Sequence, residues 1–279
     1  MRSVILPSAM SQNSSRFMPG SSRLVRSLSE MLQVEPQTHP ENFSERLSQK
    51  IDFSGSVKLS DAQGMIRMID RRVDAGLLSN DSDELAGQEA LEKSQQAFVR
   101  VRKAISQSIE SGFDPDKSVG RIKLPEWDEA FISAMREGQV DDKLLAKAAE
   151  PFSKFYRAQQ SDMSAKVQGL RVYISEVLEK HSPELAKLVV LDKALDEALS
   201  VAARKQFLCV PTLLATYFRE SFERPAGKNA DLFETCALDE NIKAFLAALK
   251  RLLMAELEAR LQLVLGLIEA LNETVQSAN

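Results

Sequence analysis

From residue 85 onward, apolar side chains recur at threes and fours, the spacing of helices with one buried face. Leu91, Phe98, Val101, Ile105 and Ile109 mark such a face over Leu85–Ser111, and Gly112 ends it. Trp127, Phe131, Ile132 and Met135 carry a shorter helix that stops at Gly138. Asp141 opens the next helix, which reaches about Lys180 with Phe152, Tyr156, Met163, Val167, Leu170, Ile174 and Val177 on its stripe. Pro151 predicts a kink or the first turn of a new helix, because proline lacks the donor that a helix interior uses. Ser182 and Pro183 read as an N-cap and a first helical residue. The helix they start places Leu188, Leu191, Leu195, Leu199 and Ala202 on one stripe. Pro211 then predicts a second kink or fresh start before Leu214, Phe218 and Phe222. The final helix runs from about Leu232 to Leu271, roughly 60 Å at 1.5 Å per residue. Leu238, Ile242, Phe245, Leu249, Leu253, Leu257, Leu261, Val264, Ile268 and Leu271 line it without a strict heptad. That spacing favours packing along a bundle over a two-stranded coiled coil.

The pattern is weaker before residue 85. Residues 1–20 are rich in Ser, Asn, Gln and Pro and read as a disordered leader. Ser21 or Ser22 caps a short helix to about Leu32, followed by a linker with Pro36 and Pro40. A second short helix is predicted over Asn42–Phe53 with Phe43, Leu47 and Ile51 on one face, interrupted at Gly55. Ser60 then caps a helix to about Ala75 whose buried face is Leu59, Ile66, Ile69 and Val73. The resulting division is a leader (1–20), an N-terminal helical part (21–112), a loop (113–124), a long-helix bundle (125–271) and a tail (272–279). No strand is required anywhere. The expected architecture is all-α, a long-helix antiparallel bundle with a smaller N-terminal set of short helices.

Composition supports this reading. Strong helix formers dominate the long segments, and 6% aromatic residues are few for a β-rich chain. At 279 residues and 44% hydrophobic content, the chain can bury a sizeable core. No apolar run approaches the length of a membrane helix, and the opening residues lack the apolar core of a secretory signal. The expected compartment is the cytoplasm, with no membrane insertion and with peripheral association left open. Cys209 and Cys236 form neither a disulfide framework nor a ligand set, and are expected to be buried reduced thiols.

The residues do not assemble into a familiar catalytic pattern. His39 and His181 are the two histidines, and neither belongs to an HExxH or a Glu-x-x-His pair, so no metal or cofactor is expected. Asp114–Ser118 begins like a calcium loop, but Val119 stands at the position that needs glycine and Pro125 at the position that needs Glu. Gly227 and Lys228 lack the earlier glycine and the following Ser or Thr of a phosphate loop. No GxSxG elbow occurs. His181 is placed at a helix C-terminus, where the helix dipole favours a cation.

Several stretches resemble a known family. They include Asn13–Arg16, Ser22–Leu28, Phe43–Leu47, Leu59–Ser60, Tyr156–Gln160, Leu188–Leu199, Val210–Leu214, Leu253–Gln262 and Gly266–Leu271. In these, the chain is similar to a proteobacterial family of uncharacterised proteins, the domain family of unknown function 3348. It departs from the family pattern at Lys50 and Phe53, where tryptophans are expected. The resemblance brings no catalytic residues. It implies, through a gene setting beside proton-channel subunits of the MotA/TolQ type and OmpA-like envelope proteins, an accessory role in an envelope-associated complex.

The functional expectation is a non-enzymatic helical adaptor or scaffold that binds protein, with a second copy of the chain among the candidate partners. Leu249, Leu253, Leu257, Leu261 and Ile268 form its candidate interface by helix-in-groove logic, the competing reading being that they are core. The alternative is an anion- or nucleic-acid-binding module whose basic patch combines Arg16, Arg23, Arg26, Arg100, Arg102 and Lys103. Arg67, Arg71 and Arg72 make a further basic cluster. The net charge of -4 ranks nucleic acid below protein as a partner.

Overall fold

The computed structural model describes residues 22–32, 45, 48–78, 84–114, 122–223 and 235–277. Seven helices run through these residues: α1 (Arg23–Leu32), α2 (Phe53–Asp74), α3 (Glu84–Gly112), α4 (Glu129–Glu137), α5 (Asp142–His181), α6 (Pro183–Phe222) and α7 (Thr235–Ser277). No strand occurs among the described residues. The leader, the linker after Leu32, residues 42–44, 46 and 47 of the expected 42–53 helix, and residues 115–121 and 224–234 lie outside them. The rest of that expected helix is interrupted by a turn at Gln49 and Lys50 and non-helical residues at Ile51 and Asp52.

Three of the predicted caps form where the sequence places them. Ser22 Oγ accepts from the Val25 amide at 3.2 Å, and Asp141 from the Leu144 amide at 2.8 Å. Ser182 Oγ accepts from Leu185 at 3.2 Å with Pro183 in the first turn. Each satisfies a donor that the helix start leaves orphaned. Gly138 ends α4 at φ 74°, a left-handed conformation that glycine adopts without a Cβ penalty.

Three positions read from sequence as interruptions, Gly55, Pro151 and Pro211, do not end a helix. The helix expected to stop at Gly55 and restart at Ser60 is the single α2, capped by Asp52, whose side chain accepts from the Gly55 amide at 2.7 Å. Gly55 lies inside α2 because the backbone meets α6 there. A Cβ on it would lie 3.0 Å from Ala198 Cβ. Pro151 and Pro211 likewise sit inside continuous 40-residue helices. The carbonyl that Pro151 frees belongs to the exposed Lys147, whereas the one freed by Pro211 has a specific protein partner, described below.

Helices α5, α6 and α7 form the frame, and the N-terminal helices pack on it: α1 and α3 on α7, α3 also on α5, and α2 on α6. Met31, Leu91, Phe98, Ile105 and Ile109 from the N-terminal stretch share one apolar core with the long helices. One end of that core is aromatic. Trp127 stacks among Phe131, Phe152, Phe218, Phe222 and Phe245, with ring centroids 4.7 Å from Phe152 and 5.9 Å from Phe218. This cluster anchors the short α4 to the ends of α5, α6 and α7.

The stripe expected on α6 is rotated from its prediction. Leu185, Val189, Ala194 and Ala198 are buried, Leu188, Leu195, Leu199 and Ala202 are half-buried, and Leu191 is exposed. Helix α6 is gripped from two sides, by α2 at Lys187 and Glu197 and by α5 at Asp192 and Asp196. A row lying between two contacts is covered only at its edges.

Candidate functional site

Three places concentrate polar or apolar groups unusually: a buried network, the outward face of α2, and a groove between α3 and α5.

The network lies where α5, α6 and α7 meet. Glu256 is fully buried, and its carboxylate accepts from the Tyr156 hydroxyl at 2.6 Å, from Gln160 Nε2 at 2.9 Å, and from Arg260 Nε at 2.8 Å. Several donors on one carboxylate suit its acceptor capacity. Gln160 Nε2 also donates to the Phe207 carbonyl at 3.0 Å. That carbonyl is four residues before Pro211, which has no N–H to offer it. One amide group therefore satisfies both the carboxylate of α7 and the gap that proline opens in α6. The Arg260 guanidinium closes the arrangement 3.9 Å above the Phe207 ring. Burial, then the charge and hydrogen bond of Glu256, hold the Tyr156 phenol well above its ordinary pKa.

In sequence, Glu256 and Arg260 interrupt an apolar stretch and Pro211 reads as a kink. In the fold, all three serve a single junction. Three of the stretches that carry the family resemblance (Tyr156–Gln160, Val210–Leu214 and Leu253–Gln262) supply its members. A second polar junction ties α5 to α6, where Arg171 reaches Asp192 at 2.8 Å and Asp196 at 2.5 Å. Burial opposes the Arg171 charge, but the two carboxylates outweigh it and raise the pKa.

The five residues of the candidate interface, Leu249, Leu253, Leu257, Leu261 and Ile268, are at most 4% exposed. Four helices, α1, α3, α5 and α6, pack along α7, and the stripe is buried among them. The reading of these residues as core is the one the packing supports, and a docking surface has to be sought elsewhere.

The described members of the basic patch are divided between α1 and α3. Arg16 lies outside the described residues. Arg23 pairs with Glu258 at 2.5 Å, and Arg26 lies on the same α1 docked against α7. Arg100, Arg102 and Lys103 are exposed on α3. Neighbours in sequence are not neighbours on a helix: Arg100 and Arg102 point about 200° apart at 100° per residue. Arg100 and Lys103, three residues apart, share a side of α3 from which Arg102 is turned away.

Large exposed apolar side chains gather instead on the outward face of α2. Phe53 is 86% exposed, Met68 62%, Met65 49% and Val57 44%. Phe53, Val57, Gly64 and Met68 repeat at four, seven and four residues, one row opposite Gly55 and Ala62, which face α6. Arg67, Arg71 and Arg72 are exposed around the C-terminal half of that row. The sequence reading missed this row because it assigned only one apolar face to α2.

Other candidates are resolved individually. Cys209 is exposed rather than buried, its thiol directed at the Gln206 carbonyl at 2.8 Å. His181 is the last residue of α5, as expected. His39 and the Cys236 side chain lie outside the described residues. No group of three metal-ligating side chains occurs among the described residues, and no helix there is long and apolar enough to cross a membrane.

No curated protein and no solved structure shows a significant match to the chain. A family model matches residues 10–273. The chain therefore belongs to the family described as Protein of unknown function (DUF3348).

Proposed function

We propose that the protein is a non-enzymatic helical adaptor that binds a partner protein through the outward face of α2. The observation that carries this reading is the Phe53–Val57–Met68 row, left exposed on a helix whose other face is fixed to α6. Isolated exposed apolar residues are ordinary, but several on one helix face bordered by charge mark contact surfaces. Gly64 in its middle leaves room for close approach, since nothing lies within 4 Å of where its Cβ would be. The three arginines favour a partner helix with an acidic border.

The polar junctions support a scaffold rather than a catalyst. Buried Glu256 and Tyr156 are engaged with each other, Gln160 and Arg260, in a packed core. In the setting that the family resemblance implies, the partner belongs to an envelope-associated complex and the protein acts from the cytoplasmic side. The test is a pair of charge introductions on the row, Val57→Asp and Met68→Asp, followed by affinity purification of the complex from native cells. Loss of the same partner in both variants, with unchanged helix content, supports the proposal. Full retention of every partner by both variants refutes it.

A further inference from the structure

We propose that the groove between α3 and α5 is a binding site for a soluble amphipathic anion, with Arg100 as its charge anchor. The site is independent of the α2 face. Its walls follow from two helical registers. Lys93, Gln96, Ala97, Arg100 and Val101 lie on one face of α3, at i, i+3, i+4, i+7 and i+8. Lys166, Gly169, Leu170 and Tyr173 repeat the same spacing on α5. Together they line an open groove of about 440 Å³. The groove exists because small residues occupy both walls: Ala97 on α3, and on α5 Gly169, around whose missing Cβ nothing lies within 4 Å. Val101 and Leu170 give an apolar floor, and Tyr173, 38% exposed, gives an aromatic wall.

The charges are arranged unequally. Lys93 is held by Glu89 at 2.7 Å and Lys166 by Asp162 at 2.6 Å, each along its own helix. Arg100 has no ion-pair partner among the described residues, so the groove carries one uncompensated guanidinium. A guanidinium over an apolar floor is matched by a phosphate or carboxylate head on a short apolar tail, because the head takes charge-assisted hydrogen bonds while the tail covers the floor. The lysines at the rim add donors once a head group competes with their carboxylates.

The test uses decyl phosphate below its micelle concentration, with binding measured by calorimetry and located by amide shifts at Gly169 and Leu170. Binding is expected for wild type, and Arg100→Gln should weaken it roughly tenfold or more, the loss of one charged hydrogen-bonding partner. Gly169→Leu places a side chain in the groove and should abolish binding while the thermal melt shows an intact fold. Arg102→Gln, on the far side of α3, should bind like wild type. Inorganic phosphate alone and the uncharged decyl maltoside should each bind at least tenfold more weakly. Equal affinity for decyl maltoside overturns the anion assignment, and equal affinity for inorganic phosphate overturns the apolar floor. Unchanged binding in Arg100→Gln and Gly169→Leu overturns the site.

Discussion

Glu256→Gln changes one oxygen to a nitrogen in a fully buried carboxylate. The side-chain volume is preserved, so the effect reports on charge and hydrogen bonding rather than on a cavity. The carboxylate receives hydrogen bonds from Tyr156, Gln160 and Arg260 at 2.6–2.9 Å. A glutamine can present only one oxygen to them and turns its own donors toward Gln160 or Arg260. Breaking a buried charged pair by altering one partner costs about 3–5 kcal/mol. The Arg260 side chain keeps 16% exposure and therefore some solvation, which places the expected loss near 3 kcal/mol, the lower end of that range. Against a typical total of about 5–15 kcal/mol, such a loss is easily measured. Urea unfolding followed by far-ultraviolet circular dichroism and by Trp127 fluorescence should show a lower midpoint for the variant by both probes.

A compensated variant makes the reasoning more stringent. Tyr156→Phe, Gln160→Leu, Glu256→Met and Arg260→Met remove the whole network, and Pro211→Ala restores the backbone donor that the Phe207 carbonyl then needs. Replacing an entire buried ionic network with apolar side chains is commonly neutral or stabilising. This five-fold variant should therefore recover most of what Glu256→Gln loses. A loss below about 1 kcal/mol for Glu256→Gln, the scale of an ordinary single hydrogen bond, would refute the description of Glu256 as the centre of a buried charged junction.

The remaining predictions concern packing, a buried amide and alkaline pH. Gly55→Val should force a branched side chain against Ala198 at a 3.0 Å approach and lower stability by about 1–3 kcal/mol. Hydrogen exchange should then accelerate across residues 53–74 while α5 and α7 stay protected. Gln159 is buried with its amide nitrogen unpartnered, so Gln159→Met should raise the unfolding free energy by about 1 kcal/mol, and a loss of that size would contradict the assignment. The Tyr156 phenol has its pKa raised by folding, so its stabilising contribution is complete below the unfolded value near 10 and is lost as pH rises above it. Compared with Tyr156→Phe, wild type should lose up to about 1.4 kcal/mol more between pH 8 and pH 11, measured by denaturant unfolding at each pH.

What was legible in the sequence depended on whether one helix face decided the outcome. Leu91, Phe98, Ile105 and Ile109 on α3 have a single packed side, and their periodicity reads directly. The caps at Ser22, Asp141 and Ser182 are local chemistry and were equally readable. Gly55 was not, because glycine as a helix breaker and glycine as a contact point look alike until Ala198 is seen opposite it. Pro211 leaves a kink and a fresh start open in sequence, because the donor that lets the helix continue through it, Gln160, is fifty-one residues earlier in the chain. Glu256 looked like an interruption of an apolar stripe, since its partners come from three separate helical positions. The α2 surface was hidden by the expectation of one apolar face per helix. A second apolar row, at Phe53, Val57 and Met68, was present in the sequence all along.

The central claim is that the protein makes its partner contact through α2 and not through the leucine stripe of α7 or the surface beside it. Photo-cross-linking in native cells tests this most directly, with benzoylphenylalanine replacing Val57, Met68 or Leu263, three apolar residues exposed on α2 and α7. The account predicts one discrete adduct shared by positions 57 and 68 and none from position 263. An adduct from position 263 with none from 57 or 68 would contradict it.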